Sequence, residues 1–329
     1  MNASRLNTSL PPPRRELNQV SHEIHRSGTF CMGNHIAPLV FLLGCQRCGT
    51  ASLYEDMISH VRGARRGHSL KGEADYYARE QHFFATDSWS RGVHHYLEHF
   101  PTCPHQHSSD LAFTIDATPA YMRKPIVATR IPTVYPPSAV HKMKFVVILR
   151  DPAKRLYAYW DTFVTSGLGV NDFEVWSKNA VAKTKECQLK NGNTLWPPPD
   201  ERCDTDTVEG VAAGLYAYQL SYYFHEFDPS SFLLTSLDAY ESDTAAVLRD
   251  VAKFVGSTGG LVGTPRAVGE PANPNAVKVM GPMPAGARAA LAKFYHEHNT
   301  VLSHLLSNTP KVKYSPSLKA MGLSDWTAP

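Results

Sequence analysis

Pro38-Leu39-Val40-Phe41-Leu42-Leu43-Gly44-Cys45-Gln46-Arg47-Cys48-Gly49-Thr50 contains the transition from which the architecture follows. The apolar run 38–43 suits a short strand buried on both faces, as in the interior of a parallel sheet. Gly44 ends it. After a tight loop, residues 52–61 place Leu53, Met57, Ile58 and Val61 at helical spacing, so a helix is expected there. Where a buried strand hands over to a helix through such a loop, successive amides and the helix N-terminus converge on one point and favour an anion. Gly44 and Gly49 allow close backbone approach, Arg47 adds a cation and Thr50 a hydroxyl donor. The spacing follows a Walker A loop as far as Gly49, but Thr50-Ala51 stands where Lys-Ser or Lys-Thr is required, which disfavours a nucleotide triphosphatase. A glycine turn that binds nothing is the alternative.

Further along, residues 111–115 form a second candidate strand, closed by Asp116-Ala117-Thr118-Pro119, and residues 144–149 are the strongest strand in the chain. That strand runs into Arg150-Asp151-Pro152-Ala153-Lys154-Arg155, with Pro152 suited to the first turn of a helix. Ligands of open α/β sheets gather at the carboxyl ends of strands, so Arg150 is placed to fork onto a phosphate. An ion pair between Arg150 and Asp151 is the competing reading, with Lys154 and Arg155 solvated on the helix. Residues 208–227 read as helix, 232–237 as strand, and 243–254 and 285–306 as helices. The alternation predicts an α/β fold, a single domain with a central parallel sheet flanked by helices. Residues 1–35 are expected to be a flexible leader and 36–329 the domain, with 167–206 an irregular insertion.

The bulk composition sets limits. The net charge of +3 over 329 residues argues against a nucleic-acid partner, so anion chemistry must come from local clusters. No run approaches the ~18 apolar residues of a membrane span, so no stable membrane insertion is expected. The first 26 residues lack a hydrophobic signal core, which leaves the cytoplasm or, given a missing anchor, the Golgi lumen. The six cysteines are too sparse for a disulfide scaffold and lack zinc-site spacing. Cys187 and Cys203 flank a Pro-rich segment and fit either one disulfide or two free loop thiols.

The two loops together ask for a ligand with two separated anionic groups. 3′-Phosphoadenosine 5′-phosphosulfate (PAPS) has such groups, a 5′-phosphosulfate and a 3′-phosphate. The ordered set of the glycine loop and a strand ending Arg-Asp-Pro-x-x-Arg resembles the PAPS-dependent sulfotransferases. The likeness is to their carbohydrate branch, with glucosaminyl 3-O-sulfotransferases and N-acetylgalactosamine 4-sulfate 6-O-sulfotransferases as the nearest groups. Arg79-Glu80-Gln81-His82-Phe83-Phe84 is similar to that family's Lys-Glu-x-His-Phe-Phe motif, and Ser90-Arg91-Gly92 through Pro101 to the helix after it. Asp116-Ala117-Thr118-Pro119-Ala120-Tyr121 resembles its Thr-Pro-x-Tyr segment, and Gly214-Leu215-Tyr216 with residues 232–237 its later helix–strand pair.

The resemblance, covering about residues 38–306, implies a P-loop-like sulfotransferase fold. It implies transfer of sulfuryl from PAPS to an acceptor hydroxyl, of a carbohydrate or a smaller metabolite, without a metal. Glu80 would be the general base, His82 would orient it, and Arg47 would stabilise charge on the bridging oxygen. The loop Arg47, Cys48, Gly49, Thr50, Ala51 and Ser52 would hold the 5′-phosphate and Arg150 the 3′-phosphate. Lys278, or Arg266, would close over the nucleotide. Three positions depart from the pattern: Arg47 replaces a lysine, Ala158 the serine expected beside the 3′-phosphate, and Ala117 a lysine before Thr-Pro. The last suggests an acceptor less anionic than heparan sulfate. The first two keep open a silent protein that binds PAPS or a glycan without turnover.

Overall fold

Each apolar run named above becomes a strand, and most of the strands enter one sheet. The computed structural model describes residues 20–104, 111–165, 172–190, 206–257, 259–266 and 281–315. The strands are β1 His22–Ile24, β2 Phe30–Met32, β3 His35–Ile36, β4 Val40–Gly44, β5 Ala64–Arg65, β6 Phe113–Asp116, β7 Lys144–Leu149, β8 Phe232–Ser236 and β9 Lys313–Tyr314. Six of them form the main sheet in the order β5-β6-β4-β7-β8-β9. Its pairings are parallel. All carboxyl ends therefore lie along one edge. Register brings Phe41 opposite Phe145 and Phe145 opposite Phe232. These rings stack at 5.6 and 4.8 Å between centroids across the three central strands.

The helices are α1 Thr50–His60, α2 Gly92–Leu97, α3 Pro125–Val134, α4 Pro137–Val140, α5 Pro152–Thr165, α6 Phe173–Lys190, α7 Asp206–Ala212, α8 Tyr216–Glu226, α9 Leu237–Ser242, α10 Thr244–Phe254 and α11 Ala285–Ser307. A second apolar cluster joins α5, α6, α7 and α11 through Leu156, Trp160, Phe173, Val211, Leu291 and Tyr295. The expected mixed α/β domain with its parallel sheet is thus present. Among the described residues no helix is long and apolar enough to cross a membrane.

Several expectations are corrected. The leader expected over 1–35 does not extend through 20–35, because β1–β3 form a three-stranded antiparallel sheet with Phe30, Cys31 and Met32 buried; residues 1–19 lie outside the described residues. The stretch 167–206 is not irregular throughout, since α6 occupies 18 of its residues. That helix buries Phe173, Ser177, Ala180, Thr184, Cys187 and Gln188, so its inner face has helical spacing but is largely small and polar. The single helix expected over 208–227 breaks at Gly214, where a Cβ would meet Tyr295 at 2.9 Å and Pro152 at 3.0 Å. The cysteines are more bonded than their sparsity suggests: Cys31–Cys103 and Cys45–Cys48 are disulfides with Cα–Cα distances of 6.0 and 5.3 Å. Cys187 is also disulfide-bonded, while Cys203 lies outside the described residues.

Asp151 does not pair with Arg150. Its Oδ1 accepts the amides of Ala153 and Lys154 at 2.8 and 3.1 Å, capping α5, and its carboxylate meets Arg288 of α11 at 2.8 Å. Arg155 is fully buried rather than solvated, donating to the Gly210 carbonyl and lying over the Tyr159 ring. Lys154 stays exposed, as expected.

His298 on α11 is buried beside Tyr218 and Phe294. Burial holds its pKa down to about 4. A histidine depressed in the fold is neutral there while the unfolded chain protonates near 6.5, so the unfolded state binds more protons between these values. Stability is therefore expected to fall by about 3 kcal/mol as pH drops from 6.5 to 4. Urea titrations of the wild type and His298→Gln across that range should show the slope reduced in the variant.

Candidate functional site

The loop between β4 and α1 starts from a strand buried along its whole length. Gly44 sits against the segment after β6, where a Cβ would lie 3.0 Å from Met122 and 3.1 Å from the Pro119 carbonyl. Within the loop the Cys48 amide donates to the Cys45 carbonyl at 3.1 Å, closing a turn that the disulfide also spans. The Cys48 amide is thus already engaged. Arg47 has φ 67° and Gly49 φ 87°, both left-handed. Gly49 is the N-cap of α1 and provides no side-chain cap. The first closing bond runs from the Leu53 amide to the Gly49 carbonyl, so the amides of Thr50, Ala51 and Ser52 precede it and point out of the helix end. Gly49→Ala would place a Cβ 2.7 Å from Leu237 in a conformation that L-residues avoid. We expect it to lower stability by about 1–2 kcal/mol, read as a fall in the urea midpoint at unchanged m-value.

Two guanidinium groups meet at this loop. Arg47 reaches α5, its Nε donating to the Ala158 carbonyl at 3.2 Å and its Nη2 to the Thr162 hydroxyl. Arg150, at the end of β7, donates from Nη1 to the Arg47 carbonyl at 3.0 Å. Its own carbonyl accepts the Tyr216 hydroxyl at 2.7 Å. Desolvation, chiefly, lowers the pKa of both arginines, and each also feels the repulsion of Arg155. Asp161 favours the charged form of Arg47, and Glu241 that of Arg150. The result is a partly buried cationic cluster at an open helix N-terminus.

Glu80 and His82 come together beside it. Glu80 accepts from Arg79 Nε at 3.1 Å, and His82 Nε2 lies 3.5 Å from its other oxygen. The Glu80 side chain is 18% exposed. The segment is anchored from below by the end of β6. Thr118 Oγ1 accepts the His82 amide at 3.1 Å and donates to Asp116 at 2.7 Å, while the Ala117 amide donates to the Arg79 carbonyl at 3.0 Å. Asp116 also accepts the hydroxyls of Tyr121 and Tyr96 at 2.8 and 3.0 Å. Burial pushes its carboxyl pKa up, and these donors hold the rise back. From α1, Tyr54 donates to the Ala78 carbonyl at 3.1 Å, tying the same segment to the helix that leaves the loop.

The glycine loop, Arg150 and the Glu80–His82 pair therefore occupy the carboxyl ends of adjacent strands β6, β4 and β7. Ala158 contributes its carbonyl to Arg47 where a serine hydroxyl was expected. Arg266 is committed elsewhere: it meets Asp56 at 2.6 Å and the Tyr240 hydroxyl at 2.6 Å behind α1. Lys278 lies outside the described residues. The support that Thr118 gives His82 has no signal beyond its place in Thr-Pro-x-Tyr; Arg155 closes the Arg-Asp-Pro-x-x-Arg pattern, but nothing in the spacing signals its burial.

A family model described as "Sulfotransferase domain" matches residues 37–262. Curated relatives include bifunctional heparan sulfate N-deacetylase/N-sulfotransferase 4 of Mus musculus, 25% identical over 82% of this chain. Bifunctional heparan sulfate N-deacetylase/N-sulfotransferase 3 of Homo sapiens is 24% identical over the same share. The chain spans about 30% of the length of each. Among solved structures, the sulfotransferase from Alicyclobacillus acidocaldarius superposes with a TM-score of 0.59 at 18% identity, covering 89% of this chain and 99% of that one. That likeness supports the fold. The relatives place the chain near carbohydrate-sulfating enzymes without selecting a 3-O- or 6-O-sulfotransferase.

Proposed function

Since the chain belongs to the sulfotransferase domain family, we propose that it moves the sulfuryl group of PAPS onto an acceptor hydroxyl of a carbohydrate. The observation that carries this reading is the open α1 N-terminus flanked by Arg47 and Arg150, with Glu80 held at the neighbouring strand end.

In this reading Gly49, Thr50, Ala51 and Ser52 hold the 5′-phosphate through their amides, and Arg150 takes the 3′-phosphate. Arg47 lies against the carbonyl of Ala158, the residue that replaces the expected serine. Glu80 removes the acceptor proton as the acceptor oxygen attacks sulfur. The bond from sulfur to the bridging oxygen breaks, and its electron pair stays on the phosphate of 3′-phosphoadenosine 5′-phosphate. Arg47 and the helix amides stabilise that charge. The proton ends on Glu80, with His82 orienting the carboxylate.

A hydroxyl of a smaller metabolite is an alternative acceptor. The relatives' names include N-sulfotransferase, so an amine belongs in the acceptor panel as well. The disulfides favour an oxidising compartment, the lumenal option of the two considered. Calorimetric titration with 3′-phosphoadenosine 5′-phosphate beside ATP and magnesium tests the donor site. Saturable binding of the former, with ATP weaker and insensitive to magnesium, is expected; the reverse preference would overturn the assignment.

A further inference from the structure

Behind the Glu80–His82 segment lies a small polar cavity bounded by Glu73, Gln81, Arg91, His95 and His99. Its volume is about 20 Å³, enough for one ion or one water molecule. His95 and His99 project from one side of α2 and its C-terminal extension, and Glu73 faces them. One ligand atom from each lies within 4.8 Å of the others.

Two observations point to an occupant. His99 Nδ1 must donate, because it faces the carbonyls of His95 at 3.0 Å and Tyr96 at 3.3 Å. A neutral His99 therefore turns the lone pair of Nε2 toward Glu73 Oε2, 2.9 Å away. Two acceptors at that distance need a positive charge between them, a proton on the ring or a metal ion. This backbone-anchored tautomer is the one that metal-binding histidines adopt. Glu73 is itself held, since its Oε2 accepts the Leu70 amide at 3.0 Å. The second observation is Gln81, only 3% exposed. Its Nε2 donates to the Tyr77 carbonyl, which fixes the amide orientation and leaves Oε1 buried without a partner.

We propose that Glu73, His95 and His99 bind a divalent transition metal, zinc by their nitrogen and oxygen donor set, with the otherwise unpartnered Gln81 Oε1 as the fourth donor. Ligands at about 2.0–2.1 Å from zinc stand roughly 3.3 Å apart, within the 2.9 to 4.8 Å spread found here. Arg91 lies 3.9 Å from Glu73, but its side chain is 57% exposed and free to turn into solvent. The other candidate triad, His25, Cys31 and Cys103, has both sulfurs in a disulfide. The ion has a structural role: it holds Gln81, the residue between Glu80 and His82, and takes no part in sulfuryl transfer.

The test is zinc content and thermal stability of the full chain purified without chelator. About one zinc per chain is expected, with chelation lowering Tm and added zinc restoring it. Glu73→Gln and His95→Asn, chosen because both side chains are less buried than His99, are each expected to weaken zinc affinity at least 10–100-fold. A chain that retains no zinc and shows no Tm shift when zinc is added would mean that His99 is simply an imidazolium paired with Glu73, and would overturn the proposal. Zinc binding unchanged in both variants would overturn it equally. Neither readout depends on PAPS or an acceptor, so failure here leaves the sulfotransferase reading untouched.

Discussion

Glu80→Gln is expected to lower turnover about 10²–10⁴-fold, the span that positioned general bases contribute. The amide keeps the volume and one acceptor oxygen but cannot take the acceptor's proton. Glu80 is well constrained, between Arg79 at 3.1 Å and His82 at 3.5 Å. A merely structural Arg79–Glu80 pair would be worth no more than about 1 kcal/mol at such a partly exposed site, so the variant should fold. The discriminating readouts are steady-state turnover with labelled PAPS and affinity for 3′-phosphoadenosine 5′-phosphate. Affinity should stay within about twofold while turnover falls, the pattern of a group that acts in the transition state. Equal losses in both would identify Glu80 as part of the binding frame.

Arg150→Ala should act on the other quantity. Its guanidinium is partly desolvated at the end of β7, within electrostatic reach of Glu241 and Arg155, so a charge-assisted contact to phosphate is strong there. Truncating one partner of such a pair costs about 2–5 kcal/mol, which is about 30-fold or more in affinity for the spent donor. Arg150→Lys keeps the charge without the fork and should recover only part of the loss. Because Arg150 also holds the Arg47 carbonyl, the urea midpoint of each variant must be measured alongside. Full affinity in a folded Arg150→Ala protein would remove this residue from the donor site.

Much of the architecture was legible because the chain signals it redundantly. Residues 144–149 form β7 over the expected range because five consecutive apolar, β-prone residues after Lys144 leave no other element to build. The glycine loop was equally plain, since strand, turn and helix periodicities change within a dozen residues. Where burial does not follow hydrophobicity, the pattern is silent. Helix α6 buries Ser177, Thr184 and Gln188 on its inner face, and Arg155 goes inside, where it donates to the Gly210 carbonyl and lies over the Tyr159 ring. The pairing of Glu80 with His82 has no periodic signature at all: His82 adopts φ 53° and its amide is fixed by Thr118, 36 residues away. Only the likeness to a motif pointed there. The Cys45–Cys48 bridge is not anticipated by the sequence reading, which weighs only Cys187 with Cys203, and spacing alone does not distinguish a bridge from two buried thiols.

The most direct measurement is transfer of labelled sulfuryl from PAPS to a panel of glucosamine- and galactosamine-containing oligosaccharides and small hydroxyl and amine acceptors. Wild type and Glu80→Gln should be compared at saturating donor. Label appearing on an acceptor hydroxyl with the wild type, and falling at least 10²-fold with Glu80→Gln, is the predicted result. Normal binding of 3′-phosphoadenosine 5′-phosphate with no label on any acceptor would contradict it, and would make this chain a donor-binding protein in which Arg47 is locked onto α5.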